Sequence, residues 1–502
     1  MGKRAQVIAI DLGASGGKCF SGLFDDNGFS LREIHRFSHE PTTLFVADRR
    51  GRVEERTCWN DLLIHANVVE GLRAYRKDVA SSADGVGIDS WGTDGVFVTP
   101  DGVVLGPMYS YRDHRLDGMI DQVKAKIDAR RIYQVTGIHF QPFNMSNQLL
   151  WFVQNRGELL KKGLRFLPAP TLFSFYLSGV TAVDSTWASV TQLMDCRKRK
   201  WSREVLRALG IPAWVMPEIV APATVVGQLR SELAQSVGLN AAPLIAVASH
   251  DTASAYTAAP VGNPATALII SSGTWSLIGK ILRKPNTGDE ALDANLSNEG
   301  AIGGVRFLKN CMGTWLVQEL RRAWRGQDGR EIPWDEMNRL TEAGQPFSAF
   351  LDPDDRGFYN PANMETAIQE FCKRTGQTAP GERGTLLRCV YESLALKYRM
   401  VAEQIATASG KPNKVVHIVG GGSRNELLNQ MAANACRLPV VAGPEEATAA
   451  GNAMAQGLAL GAVGRLADIK ELIRSAFPIR EYKPKDAQTW EQAYQRYRQV
   501  VK

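Results

Sequence analysis

The sequence has no run of apolar residues long enough to cross a membrane. The apolar stretch at residues 7–10 is too short for a signal peptide, so no secretion signal is predicted. With 44% hydrophobic and 22% charged residues, the composition is that of an ordinary soluble protein. We therefore expect a cytoplasmic location and no membrane partner.

The cysteines lack the spacing of a disulfide framework or a zinc site. They are scattered, with no CxxC pair and no histidine at ligand spacing, at Cys19, Cys58, Cys196, Cys311, Cys372, Cys389 and Cys436. Cys372 and Cys389 could meet if their segments pack together, but a reducing compartment favours two buried thiols. The sequence leaves that pairing open.

A concentrated basic surface is also missing, although the net charge is +7. Lysine and arginine are spread along the chain in short clusters, such as the one at residues 197–200. No nucleic-acid-binding module is visible, so we expect no nucleic-acid partner. Attraction of anionic nucleotides is a simpler explanation of the positive charge.

A chain of 502 residues is too long for one hydrophobic core, which predicts two large domains. Near its middle, five apolar residues at 244–248 are followed by Ser-His-Asp-Thr. This pattern is typical of a central strand in an α/β sheet, where ligands bind at the carboxyl end. Asp251 could accept a proton from a substrate hydroxyl there. The alternative is that Asp251 only caps a helix that begins at Thr252.

The N-terminal segment reads as a strand at 7–10, a glycine-rich turn and a second strand at 19–24. It carries neither GxGxxG nor GxxxxGK(S/T), the patterns of helix-opening phosphate loops. In such a hairpin, small residues let backbone N–H groups approach a phosphate, and Ser15 and Lys18 add donors. Asp11, at the strand end, could hold a metal ion. The alternative is a plain glycine-rich hairpin.

Three further segments share the pattern of a buried strand that ends in glycine and small polar residues. The first contains Trp91, Gly92 and Asp94, which suit a sugar with one apolar face, although Trp91 could equally fill the core. The second, at residues 267–276, has the same order of elements as the first hairpin: a strand, a turn of small residues and a second strand. The third has a triple glycine at 420–422 before a predicted helix start, where an anion could bind. It could also be only a tight turn.

Taken together, these motifs resemble the FGGY family of carbohydrate kinases in their order and spacing. The segments that carry the resemblance are residues 11–17, 87–94, 111–113, 249–252, 272–275 and 420–425. Residues 33–37, 137–144 and 308–313 are similar to the subgroup that phosphorylates L-rhamnulose. The resemblance covers nearly the whole chain, from about residue 6 to residue 477.

The resemblance implies an α/β fold of two domains, the actin-like ATPase (ribonuclease H-like) fold, with the active site in the cleft between the domains. It implies a sugar-binding domain at residues 1–243 and a nucleotide-binding domain at 244–480. A helical tail at 481–502 is expected from the sequence.

The implied activity is phosphorylation of a ketose at its C1 hydroxyl with ATP and Mg²⁺, with L-rhamnulose as the expected substrate. A kinase for L-fuculose or a xylulose is the first alternative. The second is an actin-fold protein that binds nucleotide as a conformational switch. The sequence leaves open whether the protein is a monomer or a homodimer.

The resemblance also assigns residues to roles. Asp251 matches the catalytic base. The sugar contacts that the resemblance implies are Gly92, His250, Asp251, Thr252 and Asn310, and Trp91 is added from the local pattern described above. The expected ATP contacts are Ala14, Ser15, Gly16, Gly17, Lys18, Thr274, Gln318 and Gly421, and Asp11 is the expected Mg²⁺ ligand. The chain departs from the pattern at Lys18, where an arginine is common, and at residues 41–53 and 93–95.

Overall fold

The computed structural model describes residues 3–47, 51–359 and 361–501; residues 48–50, in one of the departing segments, lie outside them. Two compact units are present, and each is assembled from three chain segments. The first unit comprises Met1–Pro260, Ile281–Phe307 and Ala447–Ala476. The second comprises Val261–Lys280, Leu308–Glu446 and Phe477–Lys502. The linear division into a sugar domain, a nucleotide domain and a tail stays a prediction.

The strands are numbered in chain order. They are β1 Ala5–Gly13, β2 Gly16–Asp25, β3 Gly28–Ser38, β4 Thr42–Ala47, β5 Val53–Trp59, β6 Gly85–Ser90, β7 Gly95–Val98, β8 Val104–Leu105, β9 Met108–Tyr109, β10 Arg165–Pro168, β11 Val183–Asp184, β12 Met194–Asp195, β13 Lys200–Trp201, β14 Ile219–Val220, β15 Thr224–Gln228, β16 Pro243–Ala246, β17 Ala267–Ser272, β18 Trp275–Leu282, β19 Ser297–Ala301, β20 Gly304–Met312, β21 Val415–Val419, β22 Val440–Ala442 and β23 Arg480–Tyr482.

The α-helices are α1 Asp61–Asp78, α2 Met119–Lys126, α3 Ala129–Thr136, α4 Met145–Asn155, α5 Ala169–Ser178, α6 Ser185–Ser189, α7 Arg203–Ala208, α8 Ser231–Val237, α9 Asp251–Thr257, α10 Asp289–Asp293, α11 Trp315–Asp328, α12 Trp334–Ala343, α13 Met364–Arg374, α14 Arg383–Ser409, α15 Glu426–Cys436, α16 Ala447–Leu460, α17 Ile469–Ala476 and α18 Ala487–Val500. Short 3₁₀ helices lie at His114–Leu116, Gly157–Leu160, Ala213–Val215, Arg356–Phe358, Gly421–Arg424 and Leu466–Asp468. Among the residues described, no helix has both the length and the apolar character that crossing a membrane requires.

The first unit is built on a six-stranded sheet with the order β15-β16-β6-β1-β2-β3. β1 and β2 form an antiparallel hairpin, as the sequence predicts, and β6 lies parallel to β1 on the other side. The β1 residues 7–10 have almost no exposed surface. Continuous apolar runs of this kind are typical of strands that are covered on both faces. The sheet therefore holds the carboxyl ends of β1 and β6 rigidly side by side.

The strand predicted at residues 244–248 is β16, which ends two residues earlier than expected, at Ala246. The backbone N–H and the hydroxyl of Ser249 are bonded to the Asp184 carboxylate. This side-chain partner takes the place of a strand neighbour for that N–H group. A single parallel bridge then joins Ser90 to His250, and α9 begins at Asp251.

The second unit contains the strand order β18-β17-β21-β22-β23. β17 and β18 form the predicted second hairpin, and β17, β21 and β22 are parallel. Apolar residues at steps of three and four predict a helix at about residues 385–408, with a stop at Gly410. This helix is α14, and Gly410 follows it in a left-handed conformation with φ of +63°. The thiols of Cys372 and Cys389 are buried and free, and that of Cys389 donates to the Ala349 carbonyl at 3.0 Å.

Small residues line the buried face of α16, which belongs to the first unit. At Gly451, a Cβ atom would overlap the carbonyl oxygen of Ser254 in α9. At Gly457, a Cβ atom would lie 2.8 Å from the Phe24 ring of β2. A larger side chain at either position would force α16 away from its neighbours.

We expect Gly451→Ala to destabilise the first unit by about 1–3 kcal/mol, the usual cost of overpacking. Gly326→Ala is the matched control, because Gly326 is an exposed glycine of α11 with open space around the added methyl group. Alanine there should be neutral or stabilise by up to about 1 kcal/mol. The measurement is the urea midpoint of unfolding, followed by circular dichroism. Equal midpoints for the two variants would contradict the close contact between α16 and α9.

Candidate active site

Carboxylates gather at the edge of the first sheet where parallel strands end. Asp11 of β1 is the register partner of Asp89 of β6. Asp251 follows the neighbouring strand and interacts electrostatically with Asp89. Because parallel strands carry their carboxyl ends to the same edge, a strand-end carboxylate on each one produces a cluster. Sequence reasoning assigned roles to Asp11 and Asp251 but none to Asp89.

Asp89 is fully buried, and its environment disfavours the charged form. Burial, followed by the charge of Asp11, raises the pKa of Asp89 well above its ordinary value. The Nδ2 group of Asn452, from α16, donates to Asp89 Oδ2 at 2.6 Å and opposes that shift. Nothing in the local sequence around residue 452 distinguishes it from the other small and polar residues of α16.

The pair of Asp11 and Asp89 fits Mg²⁺. This ion prefers oxygen ligands and is usually held by one or two carboxylates with several waters. A divalent cation would also offset the repulsion between the two carboxylates. Within residues 3–47, 51–359 and 361–501, no group of three or more histidine, cysteine, aspartate or glutamate side chains could hold a metal ion. Mg²⁺ usually completes its coordination with water and, in kinases, with phosphate oxygens.

Asp251 is the first residue of α9, and its side chain keeps 31% of its surface exposed. Its Oδ1 atom accepts hydrogen bonds from the backbone N–H and the hydroxyl of Thr252, the latter at 3.0 Å. Burial of the surrounding region raises the pKa of Asp251. Asp251 is not the N-cap residue of α9, because His250 occupies that position. Both hydrogen bonds of Asp251 come from the next residue, Thr252, so helix capping alone does not account for this carboxylate.

His250 packs on the backbone of Gly92. A Cβ atom at residue 92 would lie 2.5 Å from His250 Nε2, so only glycine lets the imidazole occupy this place. The Nε2 atom is 3.4 Å from Asp251 Oδ1. Gly92, His250, Asp251 and Thr252 are thus brought together, and their role as sugar contacts stays a prediction.

Asn310, another predicted sugar contact, belongs to the second unit. Its Oδ1 atom is buried and has no hydrogen-bond partner among the described residues. A buried, unpaired amide oxygen is costly unless a ligand or water completes it. Its grouping with the other sugar contacts stays a prediction.

Trp59 and Trp91 form an aromatic cluster, and both indoles are hydrogen-bonded to Asp94. The two indole rings have centroids 4.6 Å apart. Trp59 Nε1 and Trp91 Nε1 donate to Asp94 Oδ2 at 2.7 and 3.2 Å, and Gln148 donates to Oδ1 at 3.0 Å. These bonds hold Asp94 in the left-handed region, with φ of +74°. Asp94 therefore serves as the anchor of the cluster, and Trp91, at 5% exposure, is largely a core residue.

The first hairpin places Ala14 and Ser15 in the two-residue turn between β1 and β2. Ser15 is exposed. The two glycines that follow are required by packing: a Cβ atom at Gly16 would lie 2.5 Å from the Phe37 carbonyl oxygen, and one at Gly17 would overlap the Phe37 ring. Their small size is therefore explained by β3 as well as by the expected phosphate.

Lys18 is the cross-strand partner of Asp11. Residues directly opposite each other in an antiparallel pair project from the same face of the sheet. The expected metal ligand and the expected phosphate donor thus share one face of the hairpin.

In the second unit, the β17–β18 turn holds Thr274, one of the predicted nucleotide contacts. Thr274 Oγ1 is 3.4 Å from Gln318 Oε1, and Gln318 Nε2 is 3.3 Å from Thr314 Oγ1. The Thr314 hydroxyl in turn donates to the Gly273 carbonyl at 2.8 Å. The structure therefore brings together Thr274 and Gln318, which are far apart in the sequence.

The glycine triplet after β21 packs against the end of β17. A Cβ atom at Gly422 would overlap the side chain of Ser272, whereas one at Gly421 would meet nothing within 4 Å. Gly421 therefore faces open space. The helix predicted directly after the triplet begins later, because a 3₁₀ turn at Gly421–Arg424 intervenes, and the Asn425 side chain caps α15.

Both halves of the chain match one protein family. Residues 7–258 match the N-terminal domain of the FGGY family of carbohydrate kinases, and residues 268–460 match its C-terminal domain. The chain belongs to the FGGY family of carbohydrate kinases. It is therefore a carbohydrate kinase.

Curated relatives are identical to this chain at slightly more than a third of the aligned positions. The rhamnulokinase of Bacteroides thetaiotaomicron is 37% identical over 502 residues, which cover 99% of this chain and 100% of that protein. The rhamnulokinase of Bacillus subtilis is 36% identical over 479 residues, which cover 95% of each.

Solved structures confirm the two-domain α/β fold of this FGGY kinase. The ligand-bound xylulose kinase from Lactobacillus acidophilus superimposes with a TM-score of 0.77 at 18% identity, covering 99% of this chain and 97% of that one. The Plasmodium falciparum glycerol kinase with ADP gives the same TM-score, identity and coverage. At this level of identity the likeness concerns the fold alone.

We expect Asp251→Asn to lower kcat by about 10²–10⁴-fold, because the amide cannot accept a proton in the transfer step. Folding and nucleotide affinity should stay near those of the wild type. Asp101→Asn, the same change on an exposed hairpin turn, is the matched control and should leave kcat unchanged. The measurement is sugar-dependent ADP release at saturating ATP. Retention of full activity by Asp251→Asn would exclude this carboxylate as the base.

We expect Gly421→Val to weaken nucleotide binding by at least about tenfold, because the side chain would enter open space where nucleotide is predicted. Gly381→Val is the control in the same unit, since residue 381 is also exposed, with nothing within 4 Å of an added Cβ atom. Affinity for a non-hydrolysable ATP analogue is measured by calorimetry. An unchanged dissociation constant would place the nucleotide elsewhere.

Proposed function

We propose that this FGGY kinase transfers the γ-phosphoryl group of ATP to the C1 hydroxyl of L-rhamnulose, which yields L-rhamnulose 1-phosphate and ADP. The observation that carries the proposal is the partly exposed carboxylate of Asp251 beside His250 and Thr252. The choice of sugar rests on relatives named rhamnulokinase that match nearly the whole chain.

In the proposed reaction, Asp251 accepts the proton of the C1 hydroxyl while that oxygen attacks the γ-phosphorus. The new bond joins O1 to phosphorus, and the bond between phosphorus and the β–γ bridging oxygen breaks, so that ADP leaves. Burial raises the pKa of Asp251, which makes its carboxylate a stronger base than an exposed aspartate. Phosphoryl transfer otherwise depends mainly on positioning and charge neutralisation.

Asp11 and Asp89 are the proposed holders of Mg²⁺. When bound, the ion neutralises charge on the phosphate oxygens. Burial, followed by the charge of Asp11, raises the pKa of Asp89, and a cation would relieve the repulsive part of this effect. Asn452 orients Asp89 through its hydrogen bond to Oδ2.

The proposed nucleotide contacts come from three turns. The first is the turn of the β1–β2 hairpin with the start of β2, residues 14–18. The others are Thr274 with its neighbour Gln318, and Gly421 with its open approach. Backbone N–H groups in such turns bind phosphate oxygens, and Lys18 adds a positive charge. The proposed sugar contacts are Gly92, His250, Thr252 and Asn310, and Trp91 could contribute only the small part of its surface that is exposed.

The sugar is tested by ADP release with purified protein, ATP and Mg²⁺. The panel contains L-rhamnulose, L-fuculose, L-xylulose, D-xylulose, L-ribulose, glycerol and a blank without sugar. We expect the highest kcat/KM with L-rhamnulose and a product phosphorylated at C1 by phosphorus NMR. The Asp251→Asn protein, purified in parallel, controls for contaminating kinases.

Each other outcome has a separate meaning. Preference for another ketose keeps the chemistry but moves the specificity to the departing segments around residues 41–53 and 93–95. Turnover in the blank alone would contradict the kinase proposal and support a nucleotide switch.

A further inference from the structure

A buried arginine lies behind His250 in the first unit. Arg306, on β20, has no exposed surface. Its Nε group donates to the Gly300 carbonyl at 2.8 Å, and one terminal nitrogen lies 2.9 Å from His250 Nδ1. The same nitrogen is 3.1 Å from Glu299 Oε2. Arg306 is thus held on two sides and presents an N–H group to the imidazole.

Arginine can only donate hydrogen bonds, whereas each nitrogen of a neutral imidazole is either a donor or an acceptor. Because Arg306 donates to Nδ1, that nitrogen must offer its lone pair. The proton of neutral His250 is then on Nε2. We propose that Arg306 is a positioning residue that fixes His250 as the Nε2–H tautomer, a permanent donor beside Asp251. The mechanistic part of this inference rests on the proposed kinase reaction.

The groups that surround this pair support the assignment. Glu299 Oε2 is 3.6 Å from His250 Nδ1, farther than Arg306 and beyond hydrogen-bond distance. Tyr256 and Asp184 also interact electrostatically with Arg306. Burial, followed by the positive charge of Arg306, holds the pKa of His250 well below its ordinary value. The imidazole therefore stays neutral at neutral pH.

The tautomer has a consequence for catalysis. Nε2, the nitrogen nearest to Asp251, already carries a proton, and the Nδ1 lone pair is occupied by Arg306. His250 therefore has no free lone pair with which to act as the base. Its Nε2–H group can instead donate to a sugar oxygen or to Asp251. The proton from the substrate hydroxyl is left to Asp251 alone.

The direct test is histidine labelled with ¹⁵N, observed in the full-length protein without sugar or nucleotide. The seven histidines of the chain are resolved by long-range ¹H–¹⁵N correlation, and His250→Gln assigns the signal of residue 250. We expect a pyridine-like Nδ1 and a pyrrole-like Nε2 that do not change between about pH 5 and pH 8, the range in which exposed histidines titrate. A protonated Nδ1, in either the neutral or the charged ring, would overturn the proposal.

Two variants separate positioning from folding. Glu299→Gln keeps the Arg306–His250 bond, so the tautomer should remain. Arg306→Met combined with Glu299→Gln removes both charges and leaves neither one unpaired. In that protein we expect a mixture of tautomers, titration of His250, and a kcat lower by about 10–10²-fold, with a smaller change in KM for ATP. An unchanged ¹⁵N signal and unchanged kcat in the double variant would contradict the role of Arg306.

These measurements distinguish this inference from the proposed function. The ¹⁵N signal of the free protein does not depend on any substrate. If the tautomer is as expected but no sugar is phosphorylated, the positioning by Arg306 stands and the kinase assignment of this site fails. If L-rhamnulose is phosphorylated but His250 carries its proton on Nδ1, the proposed function stands and the positioning by Arg306 fails. If the double variant does not fold, the wild-type and Glu299→Gln spectra still decide the tautomer.

Discussion

The parallel pairing of β1 with β6 places Asp11 beside Asp89, and the carboxylate site depends on this register. A shift of one residue would turn one of the two side chains to the opposite face of the sheet. Asp89 is buried and Asp11 is half-buried, and two neighbouring carboxylates in such a setting are unfavourable unless something compensates their charge. Asn452 supplies part of it through a hydrogen bond to Asp89, and a bound cation would supply the rest.

Buried charge serves orientation elsewhere in the same unit. Arg306, Glu299 and His250 form a compact group with no more than a few per cent of exposed surface. Removing such groups from water is costly, and close opposite charges recover only part of that cost. The group therefore adds little to the free energy of unfolding. Its effect is to hold one imidazole in one orientation next to Asp251.

Much of the architecture was predictable because its determinants are local. Apolar runs that stop at small polar residues and glycine predicted the β1–β2 and β17–β18 hairpins, and apolar residues at steps of three and four predicted α14. Where the prediction was wrong, a distant partner was responsible. The strand after residue 243 ends early because Ser249 is bonded to Asp184, which is 65 residues away. No local pattern reports such a bond.

The sequence by itself determined the family, the two hairpins and the identity of Asp11, Gly92, Asp251 and Thr274 as candidates, because each lies at a recognisable strand end. Only the tertiary structure decided which partners these residues have. Asn452 reaches Asp89 across 363 residues, and Arg306 reaches His250 across 56. Such contacts follow from the return of α16 to the first sheet and from the inclusion of residues 304–307, the start of β20, in the same unit. Long-range packing leaves no periodic signal in the chain, so it cannot be read from residue spacing.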